Sequence, residues 1–170
     1  MRVIRCVSSA LLSSLFATSV FAVTPQTIGW IEHVSIQPQK MLMKAKIDTG
    51  ADNSSIHAED IRITEKDGVE LVKFTLRNKQ GDTMQLEKPL LRYALIKRKG
   101  AKPLQRPVVE MDLCIGDAVK TVPVNLANRE NFSYRMLIGR SYLKKGYVVD
   151  SNRQYIAGPA CGDQSVANRS

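Results

Sequence analysis

Asp48-Thr49-Gly50 follows directly on the extended stretch Lys44-Ala45-Lys46-Ile47, and its three residue types have a chemical reason to stand together. A carboxylate can activate water for attack on a peptide when a second carboxyl group faces it. At about 3 Å two such groups cannot both ionise, so they share one proton. The charged member takes a proton from water and the protonated member donates to the peptide carbonyl. Glycine after the acid lets two backbones approach where a side chain would clash. A threonine hydroxyl can bond across the pair and lock both loops. The chain holds one such triplet, so the mechanism demands a homodimer with one Asp48 from each subunit on the two-fold axis. The competing reading is an Asx-type turn after a strand, since Asp and Gly are common turn residues.

Other chemistry finds less support. Ser54 and Ser55 have no local base that would make a serine nucleophile; backbone hydrogen bonds that shape the loop suit them better. Glu32, Glu110 and Asp112 stand in strand contexts, and none sits in a motif that would supply a second carboxylate. The chain has two histidines, His33 and His57, far apart and without ligand spacing. It contains neither G-x-x-x-x-G-K-[ST] for a nucleotide phosphate nor H-E-x-x-H for zinc. The expectation is no metal and no cofactor. His57 reads as a packing or hydrogen-bonding residue after the loop, with substrate contact as its alternative role.

These residues need a scaffold, and the sequence describes one. The 170 residues suggest one domain. Arg2 and Arg5 precede an apolar run, Val7 to Phe21, and small residues surround Ala22, which reads as a signal peptide spanning residues 1–22. The run is short for a permanent span, which takes about 20 residues; an uncleaved anchor is the alternative. Export to the periplasm or beyond follows, with no stable membrane span after cleavage. Removing Arg2 and Arg5 from 25 basic residues against 16 acidic ones leaves a net charge of +7. That excess keeps a protein soluble or draws it to anionic partners. One Trp and four Phe leave little to stack on bases, and no nucleic-acid motif is present. Cys6 leaves with the signal. Cys114 and Cys161 remain, and an oxidising compartment permits them to pair.

The mature chain reads as β. Val72, Phe74 and Leu76 alternate with polar neighbours, as do Val109, Met111, Leu113 and Ile115, and then Val122, Val124 and Leu126. Asp67-Gly68, Gly81-Asp82 and Gly116-Asp117 are turn signals between extended runs. Pro107 and Pro123 favour strand edges or ends. Ser141 to Lys145 predicts one short helix stopped by Gly146. Tyr147–Asp150 and Gln154–Ile156 predict a final hairpin. Residues 23–158 form the domain and 159–170 a flexible tail, which Cys161 can tether. The class is all-β, a closed barrel or sandwich with one short C-terminal helix.

Asp48-Thr49-Gly50-Ala51-Asp52 and the downstream Leu137-Ile138-Gly139-Arg140 resemble, in order, the two hallmarks of the retropepsins. Over a longer span, Gly29-Trp30, Lys44 to Ala51, His57-Ala58, Arg106-Pro107-Val108, Asn128-Arg129 and Arg135 to Arg140 resemble a bacterial retropepsin-like family whose members often bear the name ATP-dependent zinc protease. The resemblance implies an aspartic endopeptidase, with Asp48 catalytic and Thr49, Gly50 and Ala51 in the active-site loop. It implies that Asp52 and Arg140 pair within one subunit and, with Gly139, support that loop. It also implies a flap between the motifs. Tyr93–Ile96 and Arg106–Val109 supply its arms, and Lys97, Arg98, Lys99, Gly100 and Lys102 a basic tip that favours acidic peptides. An extra hairpin around Asp67-Gly68 separates this flap from Asp48. Arg106 and Arg129 match the family without a role that the residues reveal. Three functions stay open: a dimeric aspartic endopeptidase acting on peptides or proteins, a peptide- or envelope-binding module on the same fold, and a zinc-dependent hydrolase.

Overall fold

A computed structural model describes residues 24–98, 100–144, 146–158 and 160–162. The proposed signal peptide and residues 163–170 lie outside the described residues.

Among the described residues the domain has twelve strands, one short α-helix and a 3-10 turn. The first are β1 (Gln26–Gly29), β2 (Ile31–Ile36), β3 (Met41–Ile47) and β4 (Ser54–His57). Next come β5 (Glu59–Lys66), β6 (Val69–Arg77) and β7 (Thr83–Pro89), then β8 (Arg92–Arg98), β9 (Ala101–Ile115) and β10 (Ala118–Ala127). The chain ends with β11 (Met136–Ile138), α1 (Arg140–Leu143) and β12 (Tyr147–Asp150).

The largest sheet runs β10-β4-β11-β3-β2-β9-β8, and β10 also pairs with β9. The ladder from β10 to β9 therefore closes on itself, and β8 hangs from the ring as the second arm of a hairpin. Closure leaves few free edges. It also gives each ring strand an inner and an outer face, which is why the alternating residues read so clearly. Val109, Met111, Leu113 and Ile115 meet Val122, Val124, Leu126, Ile56, Met136, Ile138, Ile47 and Ala45 in one buried cluster.

A separate three-stranded sheet, β5-β6-β7, turns at Asp67-Gly68 and between Asn78 and Asp82. This is the extra hairpin that the sequence places before the flap, with a third strand added. Val72, Phe74 and Leu76 point inward from it and join the main core.

Pro107 and Pro123 lie inside β9 and β10 rather than at strand ends. Each sits where one flank is still open. β10 pairs with β9 from Val108 onward, and β4 pairs with β10 from Val124 onward. The missing N–H costs no ladder bond on the open flank.

The expected hairpin of Tyr147–Asp150 with Gln154–Ile156 does not form. β12 pairs in parallel with β1 instead. Residues 153–157 bond to the start of β2. Trp30 N–H donates to the Arg153 carbonyl at 3.0 Å, and Tyr155 N–H donates to the Ile31 carbonyl at 2.9 Å. The Glu32 carboxylate, buried at 1% exposure, accepts the N–H groups of Gly29 (2.6 Å), Ile156 (3.0 Å) and Ala157 (3.2 Å) on Oε1. One acid thus gathers three backbone donors from two distant segments. The strap then reaches Ala160–Gly162, a 3-10 turn, where Cys161 is bonded to Cys114 of β9. The first residues of the expected tail are therefore fastened to the ring.

Candidate active site

Asp48 is the first residue after β3. Its N–H donates to the Ile138 carbonyl at 2.8 Å, so the parallel pairing of β3 with β11 runs one residue beyond the strand. The side chain then folds over its own loop: Oδ1 accepts the Gly50 N–H at 3.1 Å. Asp48 is half-buried, while Thr49 and Gly50 are exposed. A Cβ on Gly50 would meet only Asp48 Oδ1 within 4 Å, at 3.3 Å. The glycine leaves the outer surface of the loop bare, which suits close approach by another backbone.

The other side of the loop is built by β11 and α1. A Cβ on Gly139 would fall 2.5 Å from the Asn53 carbonyl carbon and 2.6 Å from its oxygen. Only glycine permits that contact, because backbone cannot swing aside as a side chain can. Gly139 N–H donates to Ser54 Oγ at 3.2 Å. Arg140 N–H reaches the Ala51 carbonyl at 2.9 Å, and Ser141 N–H the Asp52 carbonyl at 2.8 Å. The Arg140 guanidinium completes the seam, donating from Nη1 to the Thr49 carbonyl at 2.9 Å and from Nη2 to the Asp52 carboxylate. Asp52 and Arg140 are both well exposed, and an exposed pair contributes at most about 1 kcal/mol to stability. Its fork fixes geometry rather than the fold.

His57 is buried with both ring nitrogens occupied. Nδ1 accepts the Arg129 N–H at 2.9 Å, so the proton sits on Nε2, which faces Glu59 Oε1 at 3.2 Å. Arg77 also approaches Glu59 at 3.3 Å. The ring links β4 to the segment after β10 and keeps no nitrogen for a substrate.

Arg129 and Arg106, silent in the sequence, gather at the site. Arg129 is buried, donates from Nε to the Tyr134 carbonyl at 3.1 Å and lies 4.7 Å from the Phe132 ring centre. Burial and the neighbouring Arg106 charge both hold its guanidinium below the usual range, while the Asp48 carboxylate pulls the other way. Two arginines and one aspartate thus lie within electrostatic reach across residues that are far apart in the chain. The Arg106 Nε is buried without a hydrogen-bond partner.

β8 and β9 form the hairpin expected as the flap, paired from Arg92↔Val108 to Arg98↔Ala101, with Gly100 at φ +71° in the tip. The side chains of Lys97 and Arg98, and all of Lys99, lie outside the described residues; Lys102 is exposed. Among the described residues no group of three or more His, Cys, Asp or Glu is arranged to hold a metal ion.

A closed β ring, an Asp-Thr-Gly loop at the end of one strand, a Gly-Arg brace behind it and a hairpin attached to the ring define a retropepsin-like domain. The chain belongs to the RimB-like family, described as retropepsin-like aspartic endopeptidase RimB, whose model matches residues 27–160. It is similar to probable alpha-L-glutamate ligases of Desulfotalea psychrophila, 30% identical over 119 residues, and Shewanella pealeana, 31% identical over 127 residues. Those matches cover 68% and 73% of this chain but 26% and 28% of the relatives, so the chain spans about a quarter of their length. A solved structure of a Legionella pneumophila protein of unknown function matches with a TM-score of 0.70 at 30% identity, covering 79% of this chain and 100% of that one.

Proposed function

We propose that this chain is one half of an exported aspartic endopeptidase, completed by a second copy that presents its own Asp48. The observation that carries the reading is the braced loop. Asp48 is held by Ile138 behind and Gly50 beside it, and the surface it shares with Thr49 and Gly50 stays bare. A lone carboxylate of this kind has no partner with which to share a proton; two related by a two-fold axis do. The dyad would deprotonate water and protonate the peptide carbonyl, with no cofactor. The flap would close over the bound peptide and exclude water.

Acidic peptides or proteins are the substrates that the charge favours. Arg129 lies within electrostatic reach of both Asp48 and Arg106, and no carboxylate is bonded to either arginine among the described residues. The names of the relatives add a link to glutamate. Those names also favour a second reading, a module that binds an acidic chain without cutting it, since in them a stretch of this kind is joined to a much longer protein.

Sedimentation paired with a peptide-library digest, on wild type and on Asp48→Asn, separates the two. The first reading expects a dimer whose acid-favoured cleavage disappears in the variant. A strict monomer, or cleavage that survives Asp48→Asn, sinks it. Binding without cleavage by the wild type favours the module.

A further inference from the structure

Three buried polar atoms without a hydrogen-bond partner fall on one face of the ring: Ser55 Oγ, Asn125 Oδ1 and Arg106 Nε. Register places them. Asn125 is paired with Ser55 on one side and with Val108 on the other. Ser55 is paired with Leu137, and Leu137 with Lys46. Directly paired residues share a face of a sheet, and so do residues two apart along a strand. Asp48 stands two residues beyond Lys46, and Arg106 two residues before Val108. The face that carries Asp48 therefore carries Leu137, Ser55, Asn125, Val108 and Arg106 in sequence around the ring. Val124, Leu126, Ile56 and Ile138 point to the opposite, core face. The electrostatic contacts of Arg129 with both Asp48 and Arg106 agree with this placement.

A buried polar atom left unpaired costs about 1–3 kcal/mol, and native proteins hold few of them. Three together beside a candidate catalytic acid mark a place built for a group that arrives from outside. The chemistry of the set is specific. The Arg106 Nε–H is a charged donor and the Ser55 hydroxyl a neutral one. The Asn125 amide offers either an oxygen or an N–H, because its two ends are interchangeable by rotation. Arg106 and Arg129 also repel each other, so an anion between them is favoured over a neutral group.

We propose that Ser55, Asn125 and Arg106 form a side-chain subsite in the cleft floor that receives a substrate carboxylate flanking the scissile bond. The carboxylate accepts hydrogen bonds from Arg106 Nε, from Ser55 Oγ and from Asn125 turned to present its N–H. Leu137, half-buried on the same face, packs against the methylenes that carry the carboxylate. This inference rests on the peptidase reading. It deepens that reading by assigning specificity to residues on three separate strands, outside both sequence hallmarks.

The test uses a Glu-rich octapeptide and its single Glu→Ala and Glu→Gln replacements at each position, with kcat/KM measured for wild type, Asn125→Asp and Arg106→Lys. Binding of the same peptides to Asp48→Asn is measured by competition, and thermal melts check that each variant folds. At one position flanking the cut, Glu→Ala lowers wild-type kcat/KM by about tenfold or more, because the site is left with unpaired polar groups. Glu→Gln there lowers it less than Ala does. Asn125→Asp, which sets a carboxylate against a carboxylate, erases or inverts the Glu preference at that position alone. Arg106→Lys keeps the charge but removes the planar Nε–H donor, and weakens the same preference. Equal turnover of all peptides, or a Glu preference unchanged in folded Asn125→Asp, overturns the subsite while the peptidase reading stands. A wild type that neither cuts nor binds any of the octapeptides overturns that reading and the subsite with it.

Discussion

The Trp30 carbonyl accepts the Ile47 N–H at 2.9 Å, one residue before Asp48. Trp30 is also the residue whose own N–H is bonded to Arg153 in the C-terminal strap. A short path of backbone bonds thus leads from the disulfide-fastened end of the chain to the strand that presents the candidate catalytic acid.

That path predicts the effect of opening Cys114–Cys161. The bond closes a loop of 47 residues, and such a cross-link contributes about 2–4 kcal/mol. Cys161→Ser lowers the melting temperature by roughly 4–16 °C. The chain contains one tryptophan, so fluorescence reports on Trp30 alone. Reduction by a dithiol, which leaves Cys114 and Cys161 as thiols while the reagent's own two thiols become a disulfide, shifts the emission to longer wavelength as the strap loosens. An emission spectrum and melt unchanged by Cys161→Ser would show that the strap holds without its cross-link.

Gly139→Ala separates backbone contact from side-chain contact in the loop. Its Cβ meets Asn53 backbone at 2.5 Å, and overpacking of this kind costs about 1–3 kcal/mol. Gly50→Ala meets only the Asp48 carboxylate, at 3.3 Å. The denaturant midpoint falls clearly in Gly139→Ala and little in Gly50→Ala, whereas peptide turnover falls in both. Equal midpoints for the two variants would contradict the close seam between residues 53 and 139.

Burial of Glu32 sets the sign of a pH dependence in the stability of the domain. Burial pushes its carboxyl above the usual carboxylate range, against the pull of the Gly29, Ile156 and Ala157 N–H groups. The folded state therefore holds the proton more tightly than the unfolded chain. Its contribution is fully present below the ordinary carboxylate pKa and is lost as pH rises through the raised folded value. Glu32→Gln keeps an oxygen for the three donors and cannot ionise. Denaturant titrations across that window show wild-type stability falling relative to the variant as pH rises. Parallel curves would mean that the folded carboxyl is no harder to ionise than the unfolded one.

The extent of foresight in the sequence follows from which forces are local. Alternation at residues 72–76, 109–115 and 122–126 reports burial on one face of a strand, so those strands and their turns were legible. Asp48-Thr49-Gly50 was legible because each residue has its own steric or hydrogen-bonding reason, whereas Asp52 and Leu137 to Arg140 were legible through the family resemblance. The β1–β12 pairing was not, since parallel strands far apart in the chain leave no period in either. Nor was the strap, because a buried glutamate that gathers three N–H groups looks like any polar residue in a strand. Arg106 and Asn125 come onto the face of Asp48 through the register of β9, β10 and β4, which no local pattern encodes. For Arg106 the sequence offered only its place in a segment that matches the family, and for Asn125 nothing.

Arg140→Lys tests the brace itself. The guanidinium serves two acceptors at once, the Thr49 carbonyl and the Asp52 carboxylate, and an ammonium cannot reproduce that planar fork. Because the pair is exposed, its loss costs the isolated fold at most about 1 kcal/mol. The loop it holds is the surface on which a second copy would present its own Asp48, so loosening Thr49 should disturb docking and chemistry in the same step. Sedimentation is expected to show a dimer weakened by about tenfold or more, with peptide turnover falling in parallel and the melting temperature of the monomer nearly unchanged. Turnover lost from an intact dimer would leave Arg140 a role in chemistry but none in assembly. A dimer and a turnover both at wild-type levels would show that Thr49 is held well enough by the backbone bonds of Ala51 and Asp52 alone.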